Sequence, residues 1–352
     1  MSTLPTHDPA HQSPRVLVIR RDNIGDLVCT TPLLAAIRHR YPQAWIAVLA
    51  NSYNAPVLEG NPDIDAVFAY EKAKHSGKGR LRTALERIGF ILRLRRLRLD
   101  AVVIASPEFH KRTARLAHSL GARQVIGFAP AQGRSPLLDV VVDAGGVAQL
   151  TEVERVFRLA PALAIDGAPP PLRVVAPESE RGRVRAALAA KGIDASTPPI
   201  AIHISARKPS QRWPVERFAS VMRELHARYG VAFVLFWAPG AADNPTHPGD
   251  DAKAAALVAE LRDLPLLPWP TQSLAELIAG LDVCSHAILA DGGAMHIAAG
   301  LGKPLVCLFG DSDAARWRPW GVPHVLLQPP SRDVNDIAVA EVVSAYEALR
   351  TR

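Results

Sequence analysis

The chain has 352 residues, 48% hydrophobic and 21% charged, so it can bury a large core, and this length is more often divided between two domains than packed around one. Its apolar runs are far shorter than the ~20 residues that cross a bilayer, and its three cysteines are too widely separated to indicate a disulfide framework or a zinc site. The net charge of +7 comes from residues 1–170, with 22 Lys and Arg against 15 Asp and Glu, while residues 171–352 hold 19 of each, so acidic partners are expected at the first half.

The first fourteen residues lack the hydrophobic region of a secretory signal and predict a disordered tail. Short β-rich runs then alternate with longer helical segments, which is the order of βαβ units in a parallel sheet. The predicted strands are 16–19, 45–49, 101–105 and 124–128, and then 200–204, 231–236, 287–290 and 305–309. This order predicts an α/β fold with two Rossmann-like, doubly wound domains at 15–170 and 171–335. An amphipathic closing helix at 336–352 is expected to pack across both domains.

A polar loop follows the first predicted strand, from Arg20 to Pro32. Ligand crevices of open α/β sheets lie beyond the carboxyl ends of the strands, so this loop is expected to face one. Asp26 is the candidate general base, because a carboxylate in a cleft can accept a hydroxyl proton. The alternative is that Asp26 only caps the following helix. Arg20 and Asn23 are candidate acceptor contacts in the same loop.

The first predicted strand of the second half leads into His203-Ile-Ser-Ala-Arg-Lys-Pro-Ser-Gln-Arg-Trp-Pro214. Hydroxyl and cationic groups beside a helix start can form a phosphate cradle, with Ser205, Lys208 and Arg212 as candidates. A solvated basic loop anchored by Trp213 is the alternative interpretation.

A second glycine-containing turn, Asp291-Gly292-Gly293-Ala-Met-His296, comes between a predicted strand and a helix. The glycines permit close backbone approach, and a helix start attracts anions, so these residues are candidates for binding a phosphate. A helical histidine by itself is more often structural, so His296 is a candidate only because the glycines precede it. Neither the Gly-x-Gly-x-x-Gly fingerprint nor a P-loop is present, which argues against an NAD enzyme or an NTPase.

Taken together, these segments resemble glycosyltransferase family 9, the ADP-heptose:lipopolysaccharide heptosyltransferases. The resemblance covers roughly 15–330 and rests on four motifs in the family's order. They are Arg-x-Asp-x-Ile-Gly-Asp-Leu at 20–27, Gly-Asn-Pro-Asp-Ile-Asp at 60–65, Arg-Trp-Pro-x-x-Arg-Phe at 212–218 and Asp-Gly-Gly-x-x-His at 291–296.

The resemblance implies a GT-B architecture with two domains facing a central cleft. The first domain would receive the acceptor, and the second would bind a nucleotide sugar. The resemblance implies that this donor is ADP-heptose. Asp26 matches the family's general base for an inverting transfer. Ser205 and the basic residues before Trp213 match its diphosphate loop, and the 291–296 turn matches its donor-binding turn. No metal and no cofactor besides the donor are expected.

Two departures from the family pattern concern the donor. Many relatives carry Lys where this chain has Gln211, so Lys208 or Arg212 would have to supply that charge. Relatives often hold the ribose with an acidic residue after the second strand of the donor domain, and Asp243 is the possible substitute here.

Ten Lys and Arg and a single acid, Glu86, lie between Lys72 and Arg98, interleaved with leucine, isoleucine and phenylalanine. Such a segment could lie on an anionic membrane surface, or could cover the sheet while its cations reach water. An acidic lipid-linked glycan acceptor would explain the charge of the first half. A later loop offers further acceptor contacts: Glu108, His110, Lys111 and Arg112.

The predicted location is the cytoplasm, with peripheral contact at the inner membrane. Nucleic acid is not expected as a partner, because aromatics make up only 6% of residues and no nucleic-acid motif accompanies the charge. The alternatives for function are a transferase that uses another nucleotide sugar, a sugar-nucleotide epimerase, and a nucleotide-sugar-binding protein without catalysis.

Overall fold

The computed structural model describes residues 4, 13–70, 80–194, 196–244 and 248–351. Most of the predicted tail therefore lies outside the described residues, as do Lys72, Lys74 and Lys78 of the basic stretch. The chain divides into two compact units, Met1–Pro170 and Pro171–Arg352. None of the described helices combines the length and the apolar character needed to cross a bilayer.

The first unit is a parallel sheet with strand order β3-β2-β1-β4-β5-β6. Its strands are β1 (Arg15–Ile19), β2 (Trp45–Asn51), β3 (Ala66–Tyr70), β4 (Ala101–Ile104), β5 (Gln124–Phe128) and β6 (Val140–Val142). Its helices are α1 (Ile24–Val28), α2 (Thr31–Arg40), α3 (Arg80–Arg95), α4 (Lys111–Ser119) and α5 (Glu152–Phe157).

Strand β1 lies at the centre of this sheet, where Val16 pairs with Ile46 on one side and with Ala101 on the other. Residues 16–19 of this strand are at most 1% exposed, as expected for a parallel strand covered on both faces. The chain builds outward from β1 in one direction and later from β4 in the other. The topological switch point of the first unit therefore lies between β1 and β4.

The second unit repeats this plan with strand order β12-β11-β10-β7-β8-β9, again all parallel. Its strands are β7 (Ile200–His203), β8 (Phe233–Trp237), β9 (Leu266–Pro270), β10 (His286–Ala290), β11 (Leu305–Leu308) and β12 (His324–Leu327). Its helices are α6 (Glu178–Ala190), α7 (Val215–Tyr229), α8 (Asp251–Glu260), α9 (Leu274–Asp282), α10 (Gly293–Gly300), α11 (Ala314–Trp317) and α12 (Val339–Arg350). Here the switch point lies between β7 and β10.

Helix α12, the predicted closing helix, packs within the second unit. Val342, Val343 and Tyr346 are at most 3% exposed and belong to the same apolar core as residues of α7 and β11. The Trp213 indole N–H donates to the carbonyl of Ile337, just before this helix, at 3.2 Å. The expectation that this helix also packs on the first domain stays a prediction.

Helix α3 covers the sheet with only some of its apolar side chains. Its Leu94 is fully buried, and Phe90 and Ile91 pack against the core of the first unit, as a helix that covers a sheet requires. Leu85 and Ile88, however, do not pack inward: they are 60% and 54% exposed. They lie one turn apart on the face opposite the buried one, so this helix has two apolar faces rather than one.

The cysteines Cys29, Cys284 and Cys307 are free thiols and are buried. Burial raises the pKa of the Cys284 and Cys307 thiols well above their usual range, so both stay protonated and unreactive.

Candidate active site

The loop after β1 holds Asp26 in a fixed position. Asp26 is the third residue of α1, and its Oδ2 accepts hydrogen bonds from the backbone N–H and the side-chain amide of Asn23, both at 2.9 Å. The predicted alternative of a capping role is therefore realised in the structure. Asp26 is 6% exposed, so this carboxylate is buried as well as part of the helix cap.

Oδ1 of the same carboxylate accepts a hydrogen bond from Nη2 of Arg20 at 2.6 Å. Arg20 is 2% exposed, and its guanidinium also contacts Glu152 at 2.7 Å and Asp22 at 3.0 Å. Its Nη1 donates to the carbonyl of Ala105, just beyond β4. Arg20 therefore ties the loops at the switch point of the first unit together, instead of projecting outward as an acceptor contact would.

Burial acts to raise the pKa of the Asp26 carboxyl, but the charge of Arg20 and the hydrogen bonds from Asn23 outweigh it and lower that pKa. Asp26 is consequently ionised at neutral pH, the form that can accept a proton. Burial acts to lower the pKa of Arg20, and the surrounding carboxylates reverse that effect and raise it.

A cavity of about 480 Å³ opens beside this loop at the carboxyl ends of β1, β2 and β4. It is lined by Ile19, Arg21, Asp22, Asn51, Ser106, Phe109, His110, Lys111, Arg112 and Thr113. Arg21 donates through Nη2 to the hydroxyl of Thr113 at 3.2 Å across this lining. The cavity is basic, because its lining contains three cationic side chains, Arg21, Lys111 and Arg112, and one carboxylate, Asp22.

The predicted acceptor residues divide around this cavity. His110, Lys111 and Arg112 line it at the start of α4, whereas Glu108 is exposed and stands outside its lining. Asp26 is also not among the lining residues, although its neighbours Arg21 and Asp22 are.

In the second unit, Ser205, Lys208 and Arg212 all lie in the segment after β7. The Ser205 hydroxyl accepts the backbone N–H of Ala238 at 2.9 Å, which joins this segment to the loop after β8. Lys208 pairs with Asp311 at 3.0 Å, and Arg212 donates through Nε to the carbonyl of Ala206 at 2.9 Å.

Gln211 occupies the position where the family resemblance expects lysine, and it is 5% exposed. Its side-chain amide donates to Oδ2 of Asp291 at 2.9 Å and to the hydroxyl of Ser312 at 2.8 Å. One buried amide thereby links the loops that follow β7, β10 and β11, so the three segments meet at the switch point of the second unit.

The backbones of the loops after β7 and β11 also come very close to each other, at Ser210 and Gly310. A Cβ on Gly310 would lie 2.2 Å from the carbonyl oxygen of Ser210, so a residue with a side chain could not hold the two loops this close.

In the turn at 291–296, Gly292 and His296 lie in different surroundings. Gly292 faces open space, since a Cβ there would meet no atom within 4 Å. His296 lies in the first turns of α10, is 3% exposed and contacts the ring of Trp317 edge-on at 5.9 Å between centroids. His296 therefore packs in the second unit, as the structural interpretation of a helical histidine expects.

Asp243, the candidate ribose contact, is exposed between β8 and α8. The first residue of α8, Asp251, was not singled out from the sequence. Its carboxylate accepts the indole N–H of Trp237 at 2.7 Å and the backbone N–H of Gly240 at 2.9 Å. These bonds fix the start of the loop after β8.

Sequence reasoning also missed Glu152, which lies 132 residues from Arg20 and is 1% exposed. The only local signal was a capping box, Thr151-x-x-Glu154, which marks the start of α5 but gives no indication of the Arg20 contact. Within the described residues, no three His, Cys, Asp or Glu side chains are grouped as a metal site would require.

Comparison with known proteins agrees with this architecture. Residues 88–332 match the family model for glycosyltransferase family 9 (heptosyltransferase). Lipopolysaccharide heptosyltransferase 3 of Escherichia coli is 27% identical over 350 residues, covering 92% of this chain and 96% of that protein.

Two solved structures share the fold over most of their length. A glycosyl transferase family 9 protein from Veillonella parvula superposes with a TM-score of 0.81 at 22% identity, covering 96% of this chain and 97% of the other. The E. coli heptosyltransferase WaaC, solved with ADP-2-deoxy-2-fluoro heptose, gives a TM-score of 0.73 at 19% identity and covers 95% and 99%.

The predicted fold class, two Rossmann-like parallel-sheet domains of the GT-B type, is confirmed by the two sheets and by these structures. The family match covers well over half of the chain. The chain therefore belongs to glycosyltransferase family 9 and is a glycosyltransferase.

Proposed function

We propose that this enzyme transfers a heptose, or a related sugar, from ADP-heptose to the core of lipopolysaccharide or to another lipid-linked glycan, with inversion at the anomeric carbon. The observation that carries the proposal is the buried, ionised carboxylate of Asp26 beside a basic cavity. The names of relatives support the sugar and the acceptor class, since one is a lipopolysaccharide heptosyltransferase and another was solved with an ADP-heptose analogue.

The proposed reaction is a single displacement. The acceptor hydroxyl oxygen forms a bond to the anomeric carbon while the bond from that carbon to the diphosphate oxygen breaks, and the electron pair leaves with ADP. Asp26 takes the hydroxyl proton as the new bond forms. Inversion follows because the oxygen attacks opposite the leaving group.

The second unit is the proposed donor site. Lys208 and Arg212 would offset the charge that develops on the diphosphate, and the hydroxyl of Ser205 and the start of α10 would supply hydrogen-bond donors. Residues 291–293 and His296 remain the proposed donor turn, with Asp243 as the proposed ribose contact. The amide of Gln211 holds Asp291 within this group.

The acceptor is proposed to bind at the cavity of the first unit. Arg21, His110, Lys111 and Arg112 present cationic or hydrogen-bonding groups there, which suit the phosphates and carboxylates of an acidic glycan. Arg20 and Asn23 act behind this surface by holding Asp26, and Glu108 lies at its exterior.

Helix α3 is the proposed contact with the cytoplasmic face of the inner membrane. Leu85, Ile88 and Leu92 are 60%, 54% and 49% exposed and follow one another at helical spacing. Arg87, Arg93 and Arg95 of this helix are exposed, so positive charge accompanies the apolar stripe. An anionic bilayer satisfies both features, and a lipid-linked acceptor would be presented there.

The experiment that tests this function offers the purified protein a panel of nucleotide sugars with deacylated lipopolysaccharide core as acceptor. We expect ADP-heptose to raise the melting temperature and to give a product one heptose heavier, with ADP released in equal amount. Stabilisation and transfer with another nucleotide sugar would favour the alternative donor. Stabilisation without any transfer would favour a binding protein, and free sugar or an epimer as product would contradict glycosyl transfer.

A further inference from the structure

A single nitrogen of Arg20 serves two buried carboxylates. Nη2 donates to Oδ1 of Asp26 at 2.6 Å and to Oε1 of Glu152 at 2.7 Å. The other terminal nitrogen donates to the carbonyl of Ala105 and Nε contacts Asp22 at 3.0 Å, so four groups hold the guanidinium. Because the three side chains are at most 8% exposed, little solvent screens their charges from one another.

Glu152 is not needed to start its own helix. It is the first residue of α5, where the hydroxyl of Thr151 accepts the backbone N–H of Glu154 at 3.2 Å. The Glu154 carboxylate in turn accepts the backbone N–H of Thr151 at 2.8 Å. These two bonds form the cap without the Glu152 carboxylate, which contacts Arg20.

A cation that faced Asp26 alone would stabilise the ionised carboxylate strongly and make it a poor proton acceptor. A second carboxylate on the same nitrogen offsets part of that field and competes for the same N–H groups. Removing the charge of Glu152 while keeping its shape would therefore commit Arg20 more fully to Asp26.

We propose that Glu152 is a positioning residue for the transfer reaction, which shares Arg20 with Asp26 and so keeps the Asp26 carboxylate basic enough to take the acceptor proton. The inference rests on the proposed function, in which Asp26 is the base. In this proposal Glu152 affects the transfer through Arg20, so the effect on kcat should disappear when Asp26 can no longer accept a proton.

The test compares Glu152→Gln with Glu154→Gln, a matched change on the same helix that does not face Arg20. We expect Glu152→Gln to lower kcat about tenfold while the KM values for donor and acceptor stay unchanged, and Glu154→Gln to keep kcat near wild type. Placed in an Asp26→Asn background, Glu152→Gln should cause no further loss of kcat.

A merely structural role would lower kcat by the same factor in both backgrounds, and that additive result would overturn the inference. An unchanged kcat in Glu152→Gln would also overturn it. Glu152→Asp retains the charge at a greater distance and should give a kcat between those of Glu152→Gln and wild type, which keeps the test decisive if the glutamine variant unfolds. A loss in Glu152→Asp as large as that from removing the charge would count against the inference.

Failure of the underlying function is recognised separately. If Asp26→Asn alone retained wild-type turnover, the base assignment itself would be wrong, whatever Glu152→Gln did.

Discussion

The side-chain amide of Gln211 donates to the carboxylate of Asp291 at 2.9 Å, across 80 residues of sequence. The same nitrogen reaches the hydroxyl of Ser312 at 2.8 Å, so a neutral side chain joins three loops at the switch point of the second unit. Where relatives are expected to place a lysine, this chain therefore uses hydrogen bonding without adding a positive charge.

Replacing Gln211 with leucine should weaken both the fold and the donor site. The change leaves the Asp291 carboxylate and the Ser312 hydroxyl without this partner, which costs about 1–3 kcal/mol. We expect a lower unfolding midpoint in urea and an ADP affinity reduced about tenfold in calorimetry. Gln272→Leu, at an exposed position of the same unit, is the control and should leave ADP binding unchanged. Equal ADP affinity in the two variants would remove Gln211 from the donor site.

Gly310→Ala should force apart the loops after β7 and β11. The new Cβ would lie 2.2 Å from a backbone oxygen of Ser210, and a backbone contact cannot be relieved by rotating a side chain. We expect a stability loss of about 1–3 kcal/mol together with weaker ADP binding. Gly182→Ala, inside α6 with open space around the new Cβ, should instead stabilise the protein by about 0.5–1 kcal/mol. Similar melting temperatures for the two variants would contradict this packing.

His203 should make stability depend on pH. Burial lowers the pKa of this imidazole to about 4, although the charge of Asp250 opposes the shift. The unfolded chain binds the proton more readily, so this contribution is fully present above about pH 6.5 and is lost as pH falls towards 4. The loss is on the order of 3 kcal/mol.

The measurement is the urea midpoint of the wild type and of His203→Gln at pH 7 and pH 4.5. Burial also lowers the pKa of His286, so only the difference between the two proteins is assigned to His203. Parallel losses in both proteins would show that His203 is not responsible.

The exposed stripe of α3 predicts binding to anionic vesicles. Leu85, Ile88 and Leu92 changed together to glutamine should reduce co-sedimentation with phosphatidylglycerol vesicles several-fold, because their apolar area no longer enters the interface. Turnover with a deacylated, water-soluble acceptor should not change. The control replaces the exposed Val141, on strand β6, with glutamine. Undiminished vesicle binding by the triple variant would exclude α3 as the membrane contact.

The sequence predicted the central strands well, and the reason is physical. Strands such as β1 and β10 lie between parallel neighbours and are covered on both faces, so they appear as continuous apolar runs. The edge strands β3, β6, β9 and β12 were not predicted; β6 has only three residues, and β9 contains two prolines. The loops at Asp26 and Asp291 could be chosen because each directly follows a predicted strand, and ligand crevices lie beyond the carboxyl ends of such strands.

The side-chain partners of those loops could not be predicted in the same way. The partner of Arg20 on α5 lies 132 residues away, and the contact of Gln211 with Ser312 spans 101 residues. Only the fold determines which side chains from such distant segments meet. The two apolar faces of α3 were likewise ambiguous, because leucines occur at spacings that suit either face.

Turnover of the Asp26→Asn variant tests the central claim most directly. Asparagine can keep a hydrogen bond to Asn23 but cannot accept the acceptor proton as a carboxylate does, so we expect kcat to fall at least about a hundredfold while ADP affinity stays within about twofold of wild type. Asp166→Asn, at an exposed acid of the same unit, should retain full turnover. Wild-type turnover in Asp26→Asn, from a protein whose melting temperature shows it is folded, would contradict the account.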